Sequence, residues 1–318
     1  MELNKSRILV TGSSGTIGNC LCEALLALGS DVVGVDKRKN RWNEEVSRRT
    51  VIADLRDTQS LEKFKGNFDV VVHLAANARV FKLVQQPDLA RDNFLTLYNV
   101  LEFIRKRKIQ KILFASSREV YGNTDYIIHS EDEAYVKNCE SSYTATKIAG
   151  EAMIHAYEQC YGIQHVIVRF SNVYGRYDYS DRLVPLFISQ ALKSADIHIF
   201  GRDKILDFTY IEDSVDGVVK ALELFEISKN EVYNIATQKG YSIDTVARRI
   251  IELTGSRSKL IYEPNRPGEV CRFVADISKA GAVLNYQPRY DLSSGISRAI
   301  EWYKPRMDEY RKALRDDP

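Results

Sequence analysis

Three residues have the types and spacing needed to take a proton from a hydroxyl group: Ser117, Tyr143 and Lys147. Tyr143 and Lys147 share one face of a helix if that segment is helical. Holding a tyrosine ionised at neutral pH requires a pKa shift of roughly 3 units, or about 4 kcal/mol. A fixed ammonium group and a second nearby positive charge could supply that shift. Ser117 follows the apolar run 111–115, so it would sit at a strand end and bond the same substrate oxygen. The pattern predicts a phenolate base, although this Tyr–Lys spacing alone is common in helices.

The elements that position these residues begin with a glycine-rich turn. The apolar run 7–10 precedes Thr11-Gly12-Ser13-Ser14-Gly15-Thr16-Ile17-Gly18, and an amphipathic pattern follows it. Gly12 would permit a tight turn, Gly15 would let backbone N–H groups approach a pyrophosphate, and Gly18 would let the helix pack on the strand. Thr16 and Ile17 complete this predicted cofactor contact. The spacing is G-x-x-G-x-x-G, so the flanking strand and helix support the prediction as much as the glycines do.

An acidic residue at the end of the second predicted strand bears on the choice of dinucleotide. Asp36 would accept hydrogen bonds from the ribose hydroxyls of NAD and repel the 2′-phosphate of NADP. Lys37 and the two cations after it could instead favour NADP. The position of Asp36 at the strand end itself favours NAD, and the alternative is a turn residue that only ends the strand.

The first half of the chain alternates predicted strands and helices as far as about residue 170. This alternation predicts an α/β fold, a Rossmann-type doubly wound parallel sheet with right-handed crossovers. Ligands bind such sheets at the carboxyl ends of the strands. Further cofactor contacts are predicted there, with adenine beside Asp54 and Leu55, and the pyrophosphate and ribose beside Leu74, Ala75 and Ala76. His73, inside the fourth strand, is predicted to be a core residue.

Composition excludes several classes of protein. The chain has 318 residues, 44% hydrophobic and 28% charged, with a formal net charge of +2. These values favour a globular protein and give no reason to expect nucleic acid or membrane as a partner. The five cysteines form no C-x-x-C pair and the five histidines are scattered, so we expect a cytoplasmic protein with reduced thiols and no metal site. We predict a cofactor domain over residues 1–170, with residues 171–318 forming mainly a smaller, interwoven α/β substrate-binding lobe and no clean linker between the two.

Motifs along nearly the whole chain resemble those of the extended short-chain dehydrogenases/reductases, and in particular the nucleotide-sugar 4-epimerases similar to UDP-galactose 4-epimerase. The motifs are Thr11-Gly12-x-x-Gly15-x-x-Gly18, His73-Leu74-Ala75-Ala76, Ser116-Ser117-x-x-Val120-Tyr121-Gly122, Tyr143-x-x-x-Lys147, Arg169-Phe170-x-Asn172-Val173-Tyr174-Gly175 and Asp207-Phe208-Thr209-Tyr210-Ile211-x-Asp213. Together they are specific for the extended family and less specific for one sugar.

The resemblance implies roles for individual residues. Tyr143 would be the base, Lys147 would tune it and hold the nicotinamide ribose, and Ser117 would bond the sugar O4. Asn93 and Ser116 would lie on the cofactor side. The substrate contacts implied by the resemblance are Arg118, Glu119, Asn172, Arg182, Leu183, Phe200, Arg266, Glu269 and Phe273. Among them, Phe273 would set the pocket size near the sugar C2 substituent. Asn172 could instead be a turn residue, and Arg266 a solvated loop charge.

Two departures from the family pattern bear on the reaction. Leu206 stands where many relatives have an arginine that decarboxylating members use on the sugar acid, so Arg182 or Arg202 would have to meet phosphate charge. Arg118 replaces the aspartate of the sugar dehydratases, while Glu119 remains. Water elimination needs both an acid and a base, so this replacement counts against a dehydratase.

The sequence therefore predicts an NAD-dependent UDP-hexose 4-epimerase that inverts C4 through a 4-keto intermediate. The sugar stays open among UDP-glucose/galactose, their N-acetylated forms and UDP-glucuronate. The alternatives are a UDP-glucuronate decarboxylase, a nucleotide-sugar dehydratase and, in another class, a non-catalytic NAD(H)-binding regulatory protein. The resemblance also implies a homodimer formed through the helical segments 87–107 and 142–161.

Overall fold

A parallel sheet of seven strands organises the first half of the protein, in a computed structural model that describes residues 1–316. The strand order is β11-β7-β5-β4-β1-β2-β3. The strands are β1 (Arg7–Thr11), β2 (Asp31–Asp36), β3 (Thr50–Ile52), β4 (Val70–His73), β5 (Lys111–Ser117), β6 (Ile128–His129), β7 (Gln164–Phe170), β8 (Asn172–Tyr174), β9 (Ile197–Phe200), β10 (Ile205–Tyr210), β11 (Glu231–Ile235), β12 (Gly240–Ser242), β13 (Leu260–Glu263) and β14 (Arg272–Ala275).

Helices cover both faces of this sheet. The α-helices of the described chain, in both halves, are α1 (Thr16–Ala27), α2 (Glu44–Arg49), α3 (Thr58–Glu62), α4 (Val80–Gln85), α5 (Asp88–Lys106), α6 (Ser142–Tyr161), α7 (Leu183–Ala191), α8 (Ile211–Glu223), α9 (Phe225–Ser228), α10 (Ile243–Thr254), α11 (Ser278–Leu284), α12 (Leu292–Tyr303) and α13 (Met307–Asp316). Alternate residues of β1 belong to different cores, since Ile8 and Val10 pack in one cluster and Leu9 in the other. This two-sided burial is what a period of two produces in a central strand. The predicted fold class is confirmed.

The strands of the large sheet end in register, and this places the predicted cofactor residues at one edge. Thr11 of β1 pairs with Val35 of β2 and with His73 of β4, and His73 pairs with Phe114 of β5. The glycine turn, the end of β2 and the loop after β4 therefore open on the same side. His73 is buried in the core and bonded to Thr11, with 2.8 Å between its Nδ1 and the threonine Oγ1.

Helix α6 is fixed at both ends and packs closely on the sheet. Its N-cap, Ser141, accepts a hydrogen bond from the N–H of Thr144, and the helix ends at Gly162 in the left-handed region. These are strong start and stop signals. Gly150 lies against the sheet, since a Cβ there would lie 2.7 Å from the ring of Phe114. The rotation of α6 about its axis is thus tightly constrained, and so are the side chains on its buried face.

The second half of the chain contributes to both layers of the molecule. Strand β11 pairs in parallel with β7 and extends the large sheet, whereas the sequence analysis assigned residues 231–235 to the smaller lobe. A second sheet follows the path β12-β10-β14-β6, with β8 paired to β10, and β13 pairs with β9. The segment between β5 and α6 supplies β6 to this sheet by pairing with β14. The boundary at residue 170 therefore does not separate the sheets.

Candidate active site

The three residues predicted to act on a hydroxyl group meet at the carboxyl end of β5. Ser117 is the last residue of that strand, and Tyr143 and Lys147 lie on the buried face of α6. The hydroxyl group of Ser117 lies close enough to Tyr143 to lower the pKa of its phenol. The Nζ atom of Lys147 lies 5.7 Å from the centre of the Tyr143 ring. The structure thus brings together the set of residues that the spacing predicted.

The surroundings of Tyr143 within the protein favour its neutral form, whereas the sequence pattern predicts a phenolate. Burial raises the pKa of Tyr143 to about 12, although the Ser117 hydroxyl group and the charges of Arg182 and Arg118 act in the opposite direction. Lys147 donates to the backbone oxygen of Ala115 at 2.7 Å, and burial lowers the pKa of Lys147 to about 8. At Tyr143, desolvation raises the pKa by more than the neighbouring cations lower it. The side chains alone therefore keep Tyr143 neutral, and its ionisation requires additional positive charge.

A buried ion pair that the sequence analysis missed supports Lys147. Glu151 lies one helical turn beyond Lys147, and Arg169 of β7 binds its carboxylate with N–O distances of 2.9 and 2.7 Å. Glu151 attracts the Lys147 ammonium and so opposes the effect of burial on its pKa. The i, i+4, i+8 series Tyr143, Lys147, Glu151 is the sequence signal that could have found Glu151, but it does not indicate Arg169.

The hydroxyl group of Ser116 is bound within the protein. It donates to the carboxylate of Glu151, which lies eight positions after Tyr143 on α6. A contact between Ser116 and the cofactor stays a prediction.

The glycine turn leaves room for a dinucleotide backbone at the N-terminus of α1. Gly12 has φ of +73°, and a Cβ there would lie 2.9 Å from the amide nitrogen of Ala75. A Cβ on Gly18 would lie 2.0 Å from the oxygen of Gly12. The helix N-cap is Gly15, which has no side chain to bond the first N–H groups. A helix start of this kind is a site for phosphate oxygens.

Thr16 and Ile17 can serve that site through their backbones. The Thr16 hydroxyl donates to the backbone oxygen of Tyr177 at 3.0 Å, and Ile17 packs against the hydrophobic core. Their side chains therefore join α1 to the rest of the protein. Only their backbone N–H groups can donate hydrogen bonds to a pyrophosphate.

Asp36 is held at the mouth of this turn. One of its oxygens accepts the N–H of Ser14 at 3.1 Å, and the other accepts the N–H of Arg38 at 2.9 Å. A carboxylate has about four acceptor positions, so Asp36 can still bind ribose hydroxyls. Lys37 is exposed, and its charge acts with Arg56 to lower the pKa of Asp54, Arg56 being the main cause. This donor and acceptor set fits NAD.

The remaining predicted cofactor residues lie around the loop after β4. The amide nitrogens of Leu74 and Ala75 each lie 3.2 Å from the Thr11 hydroxyl, and Ala76 is half-buried. The side-chain oxygen of Asn93 accepts the backbone N–H of Asn77 at 2.7 Å, and its side-chain nitrogen donates to the backbone oxygen of Asn77 at 3.0 Å. The amide group of Asn93 therefore holds this loop. Leu55 is buried, and its backbone oxygen accepts a hydrogen bond from Asn99.

Arg118 and Glu119 form a buried charged pair beside Tyr143. Their N–O distance is 2.7 Å, and both charges act on the pKa of Tyr143. Burial raises the pKa of Glu119, while Arg118 lowers it. Within the described residues, Nη1 of Arg118 and Oε2 of Glu119 have no hydrogen-bond partner. Buried orphan atoms of this kind are expected where a polar ligand binds.

Phe273 does not line open space as expected. It is only 1% exposed and stacks on Tyr121 and His129, with ring centres 5.5 and 5.7 Å apart. The Arg118 guanidinium lies 5.9 Å from its ring centre. The ring therefore packs behind Arg118, and its effect on the pocket near the sugar C2 substituent stays a prediction.

A second group of predicted substrate residues surrounds the turn after β13. Arg266 stacks on Phe200, with 4.0 Å from the guanidinium carbon to the ring centre. Glu269 forms an ion pair of 2.5 Å with Lys204, a buried cation that the sequence analysis missed. Between them, a Cβ on Gly268 would lie 3.3 Å from the Cβ of Ser141. This turn therefore lies against the start of α6, two residues before Tyr143.

The remaining residues predicted to bind the substrate do not form one group. Arg182 caps α7 just before Leu183, and one guanidinium nitrogen lies 3.5 Å from the backbone oxygen of Ala78. The side-chain nitrogen of Asn172 donates a hydrogen bond to the backbone oxygen of Asp207 at 2.9 Å. Arg202, the alternative phosphate-binding cation, is exposed and stacks over Tyr262. The charge of Arg182 lowers the pKa of Tyr143, and the choice between the two arginines for phosphate stays a prediction.

A doubly wound parallel sheet with a glycine turn and a Ser–Tyr–Lys set at its carboxyl edge defines an extended short-chain dehydrogenase/reductase. The sequence profile of the NAD dependent epimerase/dehydratase family matches residues 8–236, and the chain belongs to that family. This match confirms the family resemblance, and with it NAD as the predicted cofactor.

The relatives of the chain carry names that refer to different nucleotide sugars. A protein of Methanocaldococcus jannaschii with the provisional name UDP-glucose 4-epimerase is 38% identical over 307 residues, covering 93% of this chain and 98% of its own. The UDP-N-acetyl-alpha-D-glucosaminuronate decarboxylase of Bacillus cytotoxicus is 30% identical, with coverages of 94% and 98%.

A solved structure is similar over almost the whole chain. It is a mutant UDP-glucuronic acid 4-epimerase from Bacillus cereus, in complex with UDP-4-deoxy-4-fluoro-glucuronic acid and NAD. Its TM-score is 0.87 at 32% identity, with coverages of 94% of this chain and 99% of its own.

Within residues 1–316, no helix has the length and apolar character needed to cross a membrane.

Proposed function

We propose that the protein is an NAD-dependent UDP-sugar 4-epimerase that inverts C4 of a UDP-hexose through a transient 4-keto intermediate. The observation that carries this proposal is that Ser117, Tyr143 and Lys147 meet at the end of β5, where Ser117 lowers the pKa of Tyr143 and Nζ of Lys147 lies 5.7 Å from the centre of the Tyr143 ring. The similarity to epimerases over almost the whole chain supports it. A non-catalytic NAD(H)-binding protein would have no need of such a set.

Two features favour epimerisation over the other reactions of the family. Arg118 stands at the position of the dehydratase acid and is paired with Glu119, which leaves that position without a free proton donor. Leu206, where decarboxylating relatives carry an arginine, is buried in β10 and offers nothing to a sugar carboxylate. Glu119 and the similarity to a decarboxylase make that reaction the competing hypothesis.

The side chains of this protein would bind and orient the sugar and move one proton. Ser117 and Tyr143 bond the sugar O4, and Tyr143 takes its proton. Lowering the pKa of Tyr143 from about 12 to near 7 requires roughly 5 units, or about 7 kcal/mol. The positive charge of a bound nicotinamide, added to Lys147, is the source we propose for this shift. Bound NAD supplies the acceptor and donor of hydride at C4.

The choice of sugar is tested by offering each class separately. Purified protein is incubated with UDP-glucose, UDP-galactose, UDP-N-acetylglucosamine and UDP-glucuronate, and the products are resolved by chromatography. We expect 4-epimers of at least one of them, with no net NADH and no carbon dioxide. Steady release of NADH or carbon dioxide would refute epimerisation, and catalysis unaffected by Tyr143→Phe would refute the assigned base.

We also propose a homodimer that pairs through α5 and α6. Phe94, Leu95 and Tyr98 on α5 are 36%, 40% and 49% exposed, and Tyr161 at the end of α6 is 52% exposed. Exposed aromatic and aliphatic residues grouped on helices are typical of a protein interface. Light scattering coupled to gel filtration should give twice the chain mass, and replacing Leu95 and Tyr98 by Glu should give the mass of one chain.

A further inference from the structure

Two histidines and a glutamate meet at the C-terminal end of α6, away from the residues assigned to the sugar and the dinucleotide. His155 and Glu158 lie on α6, and His165 lies on β7. One ligating atom from each of the three side chains lies within 4.8 Å of the other two. The sequence analysis expected no metal site because the histidines are scattered, but the return from α6 to β7 brings two of them together.

His165 is the residue that distinguishes this group from a chance surface cluster. Its side chain is fully buried, and neither ring nitrogen has a hydrogen-bond partner among the residues that the structure describes. Its Nδ1 lies 3.8 Å from Oε2 of Glu158, beyond hydrogen-bond distance. An imidazole with two unsatisfied nitrogens in the interior costs free energy unless something binds it.

Asn230 organises the other side of the group. Its side-chain nitrogen donates to Oε1 of Glu158 at 2.7 Å, which leaves Oε2 directed at the histidines. Its side-chain oxygen accepts the backbone N–H of His165 at 3.1 Å. One residue thus fixes both the carboxylate and the segment that carries the buried imidazole. Metal-binding carboxylates are usually held by a second residue in this way.

We infer that His155, Glu158 and His165 bind a divalent transition-metal ion of the zinc class. Two imidazole nitrogens and one carboxylate oxygen are the ligands that Zn²⁺ prefers, with water in the fourth position. Ligands of a tetrahedral zinc lie about 3.4 Å from one another, given bonds of about 2.1 Å. The observed distances from Glu158 Oε2 to Nδ1 are 4.0 Å for His155 and 3.8 Å for His165, so small rotations would close the site.

The exposure of these residues suits metal binding. The side chain of His155 is 49% exposed, which gives an ion access from the outer face of α6. The ion would join the end of α6 to the start of β7, about 12 Å along the helix from Lys147.

The test is a zinc titration of tag-free protein that has been dialysed against a chelator. Competition with a chromophoric chelator should give one Zn²⁺ per chain, and zinc should raise the Tm whereas Mg²⁺ should not. Loss of a residue that only orients a ligand costs about 10–100-fold in affinity. We therefore expect His155→Gln and Glu158→Gln each to weaken binding by more than about 100-fold. His155 is chosen because it is exposed, so its replacement spares folding.

Two control variants make the result specific. His198→Gln removes a histidine of similar exposure that also faces a carboxylate, at 3.1 Å from Glu263, and should leave zinc binding unchanged. Cys160→Ser removes the exposed thiol nearest this group on α6 and should do the same. Zinc binding that persists in His155→Gln, or that is lost in Cys160→Ser, would overturn the inference, as would the absence of binding at micromolar zinc.

Discussion

Replacing Lys147 by Met tests whether its ammonium group is as strongly desolvated as the structure indicates. Burial lowers the pKa of Lys147 from its ordinary value of 10.5 to about 8. A folded-state pKa below the unfolded one means that the unfolded chain binds more protons between these two values. The contribution of Lys147 to stability is therefore greatest above pH 10.5 and is lost as pH falls towards 8. The full difference corresponds to about 3 kcal/mol.

Urea unfolding followed by circular dichroism measures this effect. Between about pH 7.5 and about pH 9.5, the linkage relation gives the wild type a gain of about 2 kcal/mol in unfolding free energy relative to Lys147→Met. Subtracting the variant removes the contribution of groups that titrate in both proteins. Lys193→Met, at an exposed position, is the matched control and should leave the pH dependence unchanged. Parallel curves for the wild type and Lys147→Met would refute the buried ammonium, and with it the proposed electrostatic support for Tyr143.

Three further substitutions test other parts of the site. Tyr143→Phe should lower kcat by about 10²–10⁴-fold while NADH binding, followed by fluorescence, is retained; loss of both together would indicate a folding defect instead. Gly18→Ala would place a Cβ 2.0 Å from the Gly12 oxygen, so NADH affinity should fall sharply, and affinity equal to that of the wild type would contradict the described turn. Arg169→Met leaves the Glu151 carboxylate buried without its partner and should lower the unfolding free energy by about 3–5 kcal/mol; a loss below about 1 kcal/mol would show that Glu151 finds another partner or a proton.

The sequence was most informative where a function depends on neighbouring residues in the chain. The glycine turn, the strand ending at Asp36 and the Tyr143–Lys147 pair are local patterns, and each predicts its own geometry through the period of a strand or a helix. The registers of β1, β2 and β4 then confirm that the strand ends share an edge. Local pattern and parallel topology were sufficient to place the catalytic candidates.

Features that depend on distant residues were not accessible in this way. Arg169 and Glu151 form an ion pair only because β7 lies beneath α6, and neither residue indicates the other in the sequence. Phe273 has no local signal that separates a pocket wall from a ring packed between Tyr121 and His129. The pKa of Tyr143 depends on how completely it is buried, which residue spacing does not specify.

The position of β11 in the large sheet has a consequence for synthesis on the ribosome. Strand β7, with Val166, Ile167 and Val168 fully buried in the finished protein, has its outer neighbour only once residues 231–235 have emerged. At about 5–20 residues per second, that delay is roughly 3–13 seconds. During this interval the nascent chain presents an unpaired apolar edge to which other strands can bind. Early release of the chain, or a stop codon shortly after residue 170, should therefore yield a chaperone client rather than a soluble nucleotide-binding fragment.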